Sequence, residues 1–261
     1  MASNYSDLRG KTALITGCNR GIGKDILTKF ASQGVNIVAC VRTASNEFSA
    51  YLNTLCENYD INIEIVFVDL ANPESITSAM REIFQKKIQI DILINNAGVA
   101  FGGLFSMTSM AKLREVFEIN FFSQVQITQY VVKWMRKRGC GVIINMASIA
   151  GIDGMEGFTA YGSSKAAMVY LTKMLSKELA TSGIRVNAVA PGLINTELVK
   201  QLDNKAVNKM VEQSSLGRLG TPDEIAELVV FLSSDSSRFI DGQIIRIDGG
   251  MWVGNKIISL I

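Results

Sequence analysis

Thr12-Ala13-Leu14-Ile15-Thr16-Gly17-Cys18-Asn19-Arg20-Gly21-Ile22-Gly23 reads as a short apolar strand, a glycine-rich tight turn and the opening of a helix that runs on through Lys24-Asp25-Ile26-Leu27-Thr28-Lys29-Phe30-Ala31. In that order the backbone N–H groups of the turn and the positive end of the helix dipole face one point, which suits a pyrophosphate. A lone trio of glycines is a weak signal, and a plain βα turn is its alternative reading. The strand before it and the helix after it supply the weight. The spacing is G-x-x-x-G-x-G, not G-x-G-x-x-G.

The same alternation continues outward from this turn. Strand-like runs fall at Thr12–Thr16, Val35–Val41, Ile63–Val68, Ile90–Asn95, Val142–Ala147, Arg185–Ala190 and Ile244–Ile247. Helical stretches fall near 21–33, 44–58, 73–87, 112–137, 160–181 and 222–234, with Pro73 and Pro222 at first-turn positions. Nearly continuous apolar strands between amphipathic helices predict an α/β fold: a doubly wound, about seven-stranded parallel sheet with helices on both faces. No shift in composition divides the chain, so a single domain over 1–261 is expected. Residues 192–220, the least regular part, are expected to form a flap.

Composition excludes several chemistries. With 26 Lys+Arg against 24 Asp+Glu and no long basic run, nucleic acid is not expected as a partner. No His is present, which removes a Ser-His-Asp triad, imidazole-bound zinc and a histidine base. Cys18, Cys40, Cys56 and Cys140 match no metal or redox spacing, so free thiols and no metal are expected. The N-terminus lacks a signal-peptide core and no apolar stretch approaches membrane-spanning length, so a cytoplasmic protein without a membrane partner is expected.

The glycine loop resembles that of the short-chain dehydrogenase/reductases, and the resemblance continues in order through Asn95-Asn96-Ala97-Gly98, Asn120, Ser148, Tyr161-x-x-x-Lys165 and Pro191-Gly192. It implies a Rossmann-type fold and NADP(H)-dependent or NAD-dependent hydride transfer between a nicotinamide and a carbonyl or secondary alcohol. Gly17, Asn19, Arg20, Gly21, Ile22 and Gly23 would then hold the pyrophosphate, with Asn96, Ala97 and Gly98 beside them. Asp69 and Leu70 would flank the adenine, although a lone Asp at a strand end also serves as a turn cap. Pro191, Gly192, Ile194 and Thr196 would cradle the nicotinamide amide and the pyrophosphate.

Charge separates the two cofactors, since NAD calls for a carboxylate at the end of the second strand and NADP for a cation. Here Ala39-Cys40-Val41-Arg42-Thr43 carries no acid, and Arg42 with Arg20 favours NADP(H).

Tyr161 and Lys165 share one helical face. A phenol needs a neighbouring ammonium, aided by oxidised nicotinamide, to lower its pKa toward neutrality. Ser148, at a strand end, can hydrogen-bond a substrate carbonyl oxygen, or it can cap a turn. Asn120, an amide inside an apolar helical face, is expected both to bond a backbone carbonyl at a bend and, by resemblance, to order a water linked to Lys165. The catalytic group is thus Asn120, Ser148, Tyr161 and Lys165.

The pattern, including Leu216-Gly217-Arg218-Leu219-Gly220-Thr221-Pro222 and Asp248-Gly249-Gly250-Met251-Trp252, is most similar to the 3-oxoacyl-acyl-carrier-protein reductase branch. That implies an acyl-thioester substrate. Arg136-Lys137-Arg138 is a basic run suited to an acidic carrier protein, but Ser182 stands where that branch commonly has an arginine. A sugar, polyol or other small ketone is the competing substrate. A non-catalytic NADP(H)-binding protein is the remote alternative, disfavoured because all four catalytic candidates are in place. The resemblance also implies a homotetramer, to which the apolar tail Ile257–Ile261 would contribute.

Overall fold

The computed structural model describes residues 5–200, 207–208 and 211–251, except for the side chains at 198 and 200. Seven parallel strands form one sheet in the order β3-β2-β1-β4-β5-β6-β7. They are β1 (Thr12–Thr16), β2 (Asn36–Val41), β3 (Ile63–Phe67), β4 (Ile92–Asn95), β5 (Gly141–Met146), β6 (Ile184–Pro191) and β7 (Ile244–Ile247). The helices are α1 (Gly21–Ser32), α2 (Asn46–Tyr59), α3 (Pro73–Gln85), α4 (Met110–Phe117), α5 (Ser123–Arg138) and α6 (Thr159–Leu179), with a further long helix over Pro222–Ser233.

Alternation along each strand feeds two cores. Ala13 and Ile15 of β1, and Ile92 and Ile94 of β4, pack on one side with Ile26, Phe30, Ile225 and Val229. Leu14 and Leu93 pack on the other side with Met80, Ile127, Val131 and Leu179. The sheet therefore has α1, α2 and Pro222–Ser233 on one face and α3, α5 and α6 on the other, and its central strands carry no solvent face.

Caps and glycines set the helix limits. Asn72 accepts from the N–H groups of Glu74 and Ser75 ahead of Pro73, and Thr221 closes a reciprocal capping box with Glu224 ahead of Pro222. The stretch expected as one helix over 112–137 is α4 and α5 joined by a π turn at Glu118–Phe122. A π turn widens the ladder from i−4 to i−5, which periodicity alone does not reveal.

Strand order reverses between β1 and β4: the chain winds one way through β2 and β3, then the other way through β5, β6 and β7. Loops leaving β1 and β4 therefore diverge, and a crevice opens at their carboxyl ends. Among the described residues no helix is long and apolar enough to cross a membrane. The tail Ile257–Ile261 and part of the expected flap lie outside the described residues.

Candidate active site

A cleft of about 470 Å3 occupies that crevice. Ile22 follows β1, Asn96 and Gly98 follow β4, Ser148 follows β5, Tyr161 and Lys165 come from α6, Pro191 ends β6, and Gly192, Ile194 and Thr196 follow that strand; all of them line the cleft. Residues from the exits of β1, β4, β5 and β6 thus meet because each leaves the same end of the sheet, and α6 adds Tyr161 and Lys165.

The glycine loop is packed to backbone contact. A Cβ on Gly23 would sit 2.2 Å from the Gly17 carbonyl oxygen and 2.5 Å from Asn96 Nδ2. Gly17 has φ +67° and abuts Ala97, leaving 2.9 Å for a Cβ. Asn96 fastens the loop by donating from Nδ2 to the carbonyls of Thr16 and Gly17 at 2.9 and 3.0 Å. Gly17, Gly23 and Ala97 are therefore the packing beneath the cleft, and Gly21 faces Thr196 across it.

Arg20 precedes α1 in extended conformation with no side-chain cap, whereas Ser45, Asn72 and Thr221 cap their helices. The open first-turn N–H groups of α1 and the glycine cradle fit a phosphate-bearing dinucleotide. Asn19 Nδ2 reaches the Thr43 carbonyl at 3.5 Å, so the loop lies against the end of β2, where Arg42 is exposed. Asp69 is exposed and accepts from the Ala71 N–H at 3.0 Å as a turn cap, and Leu70 packs partly against the core.

Asn120 lies in the π turn and is fully enclosed. Its Oδ1 accepts from the Val99 N–H at 2.8 Å, and its Nδ2 donates to the Val99 carbonyl at 2.9 Å and to Ser164 Oγ at 3.0 Å. Ser164 in turn donates to the Tyr161 carbonyl at 2.7 Å. The amide thereby ties the strand β4 exit to the first turns of α6.

Ser148 lines the cleft and caps the turn that follows it. Its Oγ accepts from the Ala150 N–H at 3.2 Å, capping the short turn Ile149–Gly151, and is hydrogen-bonded to the Tyr161 side chain. Burial raises the Tyr161 phenol above its ordinary pKa, and the bond to Ser148 offsets this in part. That direction belongs to the protein without nicotinamide, whereas the lowering expected from Lys165 is one aided by oxidised nicotinamide. The ammonium lies 5.9 Å from the ring centroid and is spent on the Met146 carbonyl at 2.7 Å. Burial pushes the Lys165 pKa down to about 8.

Several contributors escaped the sequence reading. Gln124 is buried one turn after Asn120, accepts from Thr16 Oγ1 at 3.3 Å and donates to the Ala97 carbonyl at 3.1 Å. Gly162 and Gly151 let the Ser148 turn touch α6, since a Cβ on either would lie 2.6 Å from main-chain atoms. A glycine directly after Tyr161 inside a helix was the available signal, because an interior helical glycine asks for a packing reason. The basic run sits away from the cleft, at the far end of α5. Arg138 turns onto Asp91 and the Ile90 carbonyl, and Arg136 lies 3.5 Å from Glu178.

The family model described as Enoyl-(Acyl carrier protein) reductase matches residues 17–252. The chain belongs to the short-chain dehydrogenase/reductase family. This dehydrogenase/reductase is 37% identical over 245 residues to the 3-oxoacyl-[acyl-carrier-protein] reductase of Aquifex aeolicus, covering 94% of this chain and 98% of that one. It is also 37% identical over 244 residues to the enzyme of that name from Thermotoga maritima, with coverages of 94% and 98%. The L-sorbose reductase of Gluconobacter frateurii, solved with NADPH and L-sorbose, superposes with a TM-score of 0.85 at 31% identity, covering 94% of this chain and 98% of that one.

Proposed function

We propose that this oxidoreductase uses NADP(H) to reduce the ketone of a 3-oxoacyl thioester to the secondary alcohol. The observation that carries the substrate choice is the cleft wall: beyond Tyr161 and Ser148 it is built from Val99, Phe101, Met155, Phe158, Leu193 and Met251. Among the described residues its polar lining side chains, Asn96, Ser148, Tyr161, Lys165 and Thr196, all belong to the proposed catalytic and cofactor group. An acyl chain suits such a wall, whereas a polyol would leave its hydroxyls without partners.

Gly17–Gly23, Asn96–Gly98, Lys165 and Pro191–Thr196 would hold the dinucleotide, with Asp69 and Leu70 at the adenine and Arg20 and Arg42 at the 2′-phosphate. When bound, NADPH supplies the hydride that the carbonyl carbon receives. Ser148 hydrogen-bonds the carbonyl oxygen, and Tyr161 gives that oxygen its proton. A phenol held protonated by burial is already in the donating form. Lys165 holds its ammonium beneath the tyrosine, and Asn120, through a water near Gly98, would link it to solvent for reprotonation.

A sugar or polyol substrate is the second reading, favoured by the likeness to the L-sorbose reductase. We also infer a homotetramer of the 28.5 kDa chain, supported by the exposed Phe122, Tyr170 and Met174 on the outer faces around α5 and α6. The thioester is taken without reliance on the Arg136–Arg138 run, so a free thioester suffices as substrate.

Following NADPH consumption with acetoacetyl-N-acetylcysteamine, cyclohexanone and L-sorbose tests the reading. The expected order places the thioester about 10²-fold above the sugar in kcat/KM. Preference for the sugar overturns the substrate assignment, and cofactor binding without consumption of NADPH by any carbonyl overturns catalysis.

A further inference from the structure

Arg246 itself belongs to none of the motifs above, although it contacts Asp248 and Met251 of the Asp248–Trp252 pattern. Arg246 lies on β7 at the sheet edge, and its guanidinium forks. Nη1 is 2.7 Å from Asp153 Oδ2, while Nη2 and Nε are 2.7 and 2.9 Å from Asp248 Oδ2. Nη2 also donates to the Met251 carbonyl at 3.4 Å, and Asp248 Oδ1 accepts from the Gly250 N–H at 3.0 Å. The three side chains are 34%, 25% and 9% exposed in the order Arg246, Asp153, Asp248, so water screens these pairs less than it would a fully exposed one.

Asp153 sits in the loop that follows the Ser148 turn, and this loop carries Met155 and Phe158 into the cleft wall. Gly154 and Gly157 have open space where a Cβ would lie, so the loop is not held by close packing at those points. It is strapped on two flanks instead. On one, the Gly103 N–H donates to the Gly157 carbonyl at 2.8 Å, joining the loop to the wall begun by Val99 and Phe101. On the other, Arg246 joins Asp153 to the segment that carries Asp248 and Met251. A planar fork presents its donors in fixed directions on two sides, so it serves both partners at once in one defined geometry, whereas an ammonium that bridges two carboxylates, as Lys29 does, is a point charge without that directional constraint.

We infer that Arg246 is a positioning residue for substrate recognition: by holding Asp153 against the Asp248–Met251 segment it fixes the Met155 wall of the apolar pocket and sets substrate fit, not proton or hydride chemistry. The inference rests on the carbonyl-reductase reading above. Arg246 touches neither Ser148 nor Tyr161, so its loss should act on KM and leave kcat alone.

The test compares wild type with Arg246→Gln, Arg246→Lys and Asp153→Asn, using acetoacetyl-N-acetylcysteamine as probe at saturating NADPH. Arg246→Gln is expected to raise KM about fivefold with kcat within about twofold and the NADPH Kd unchanged. Asp153→Asn should give a similar rise, and the double variant no more than Arg246→Gln alone, because the Arg246–Asp153 pair is lost in each case. Arg246→Lys should fall between wild type and Arg246→Gln. Hydrogen exchange at the amides of 153–157 should accelerate in Arg246→Gln while those of 164–176 hold.

An unchanged KM in Arg246→Gln overturns the assignment, as does a fall in kcat that matches the change in KM. Should wild type consume no NADPH with any carbonyl, the reductase reading fails by itself, and the exchange measurement decides the clamp: unaltered exchange at 153–157 overturns it.

Discussion

The two flanks of the cleft are built to different tolerances. On the cofactor flank, Gly17, Gly23, Ala97 and the Asn96 side-chain amide meet in direct contact, with 2.2 to 2.9 Å left for the missing side chains, and Asn120 spends its amide on both main-chain atoms of Val99. On the substrate flank, Gly154 and Gly157 face open space, and Phe105 and Met107 are 75% and 79% exposed. A dinucleotide is the same molecule in every turnover, so its cradle gains from a fixed backbone. A wall of Met and Phe side chains adjusts to ligands of differing shape. The contrast also explains why the chemistry is easier to assign than the substrate.

The largest expected effect lies where the flanks meet. Tyr161→Phe should lower kcat by about 10²-fold or more while the NADPH Kd stays within about twofold, read by stopped-flow reduction and cofactor fluorescence. Full turnover in that variant would falsify the proton-donor role. Gly23→Ala attacks the tight flank, where the new methyl meets the Gly17 carbonyl oxygen. A stability loss of about 2 kcal/mol is expected, together with much weakened NADPH binding, both measurable by denaturant titration with and without cofactor. Arg42→Asp leaves the packing alone and should cut the NADPH/NADH ratio of kcat/KM by about tenfold or more; an unchanged ratio would remove Arg42 from the 2′-phosphate.

Lys165 gives a smaller effect with a defined sign. Its pKa falls from 10.5 unfolded to about 8 folded, so between those values the unfolded chain binds more protons and the native state gains stability as pH rises. The Tm of wild type should therefore rise relative to Lys165→Met on going from pH 8 to pH 10. Tyr161, shifted the other way, begins to subtract only above its ordinary value. A Tm difference that is flat over this window, in cofactor-free protein, contradicts the buried ammonium. The smallest change is expected from Met155→Ala on the loose flank, within about 0.5 kcal/mol in stability and a few-fold in KM, because its wall is partly exposed and can close up.

Particular residues show how far the sequence could be read. The strands from Thr12 to Ile247 were legible because a sheet buried on both faces leaves continuous apolar runs, and the glycine loop was legible because a backbone-to-backbone contact permits only one residue type. Tyr161 and Lys165 were placed by helical spacing, and Ser148 by its position at a strand end. The sense of the Tyr161 shift was not, since it depends on how burial weighs against an ammonium whose nearest partner turned out to be a main-chain carbonyl. Gln124 and Arg246 were hidden for a related reason: their partners, Ala97 and Asp153, are distant in sequence and belong to no local pattern. Likewise the acidic neighbours of Arg136 and Arg138, Glu178 and Asp91, lie far off in sequence and are not visible in the basic run itself.

The π turn at Glu118–Phe122 makes the length of this helical stretch a fixed quantity. It holds one residue more than a regular turn, so a single deletion there could restore an unbroken α-helical ladder and improve local regularity. That repair would rotate everything beyond it by about 100° about the helix axis, carrying Asn120 off Val99 and Gln124 off Ala97 together. Shortening this segment by one residue would thus trade a better helix for a dismantled floor under both halves of the cleft, which makes the irregular spacing a design constraint on any re-engineered version of the chain.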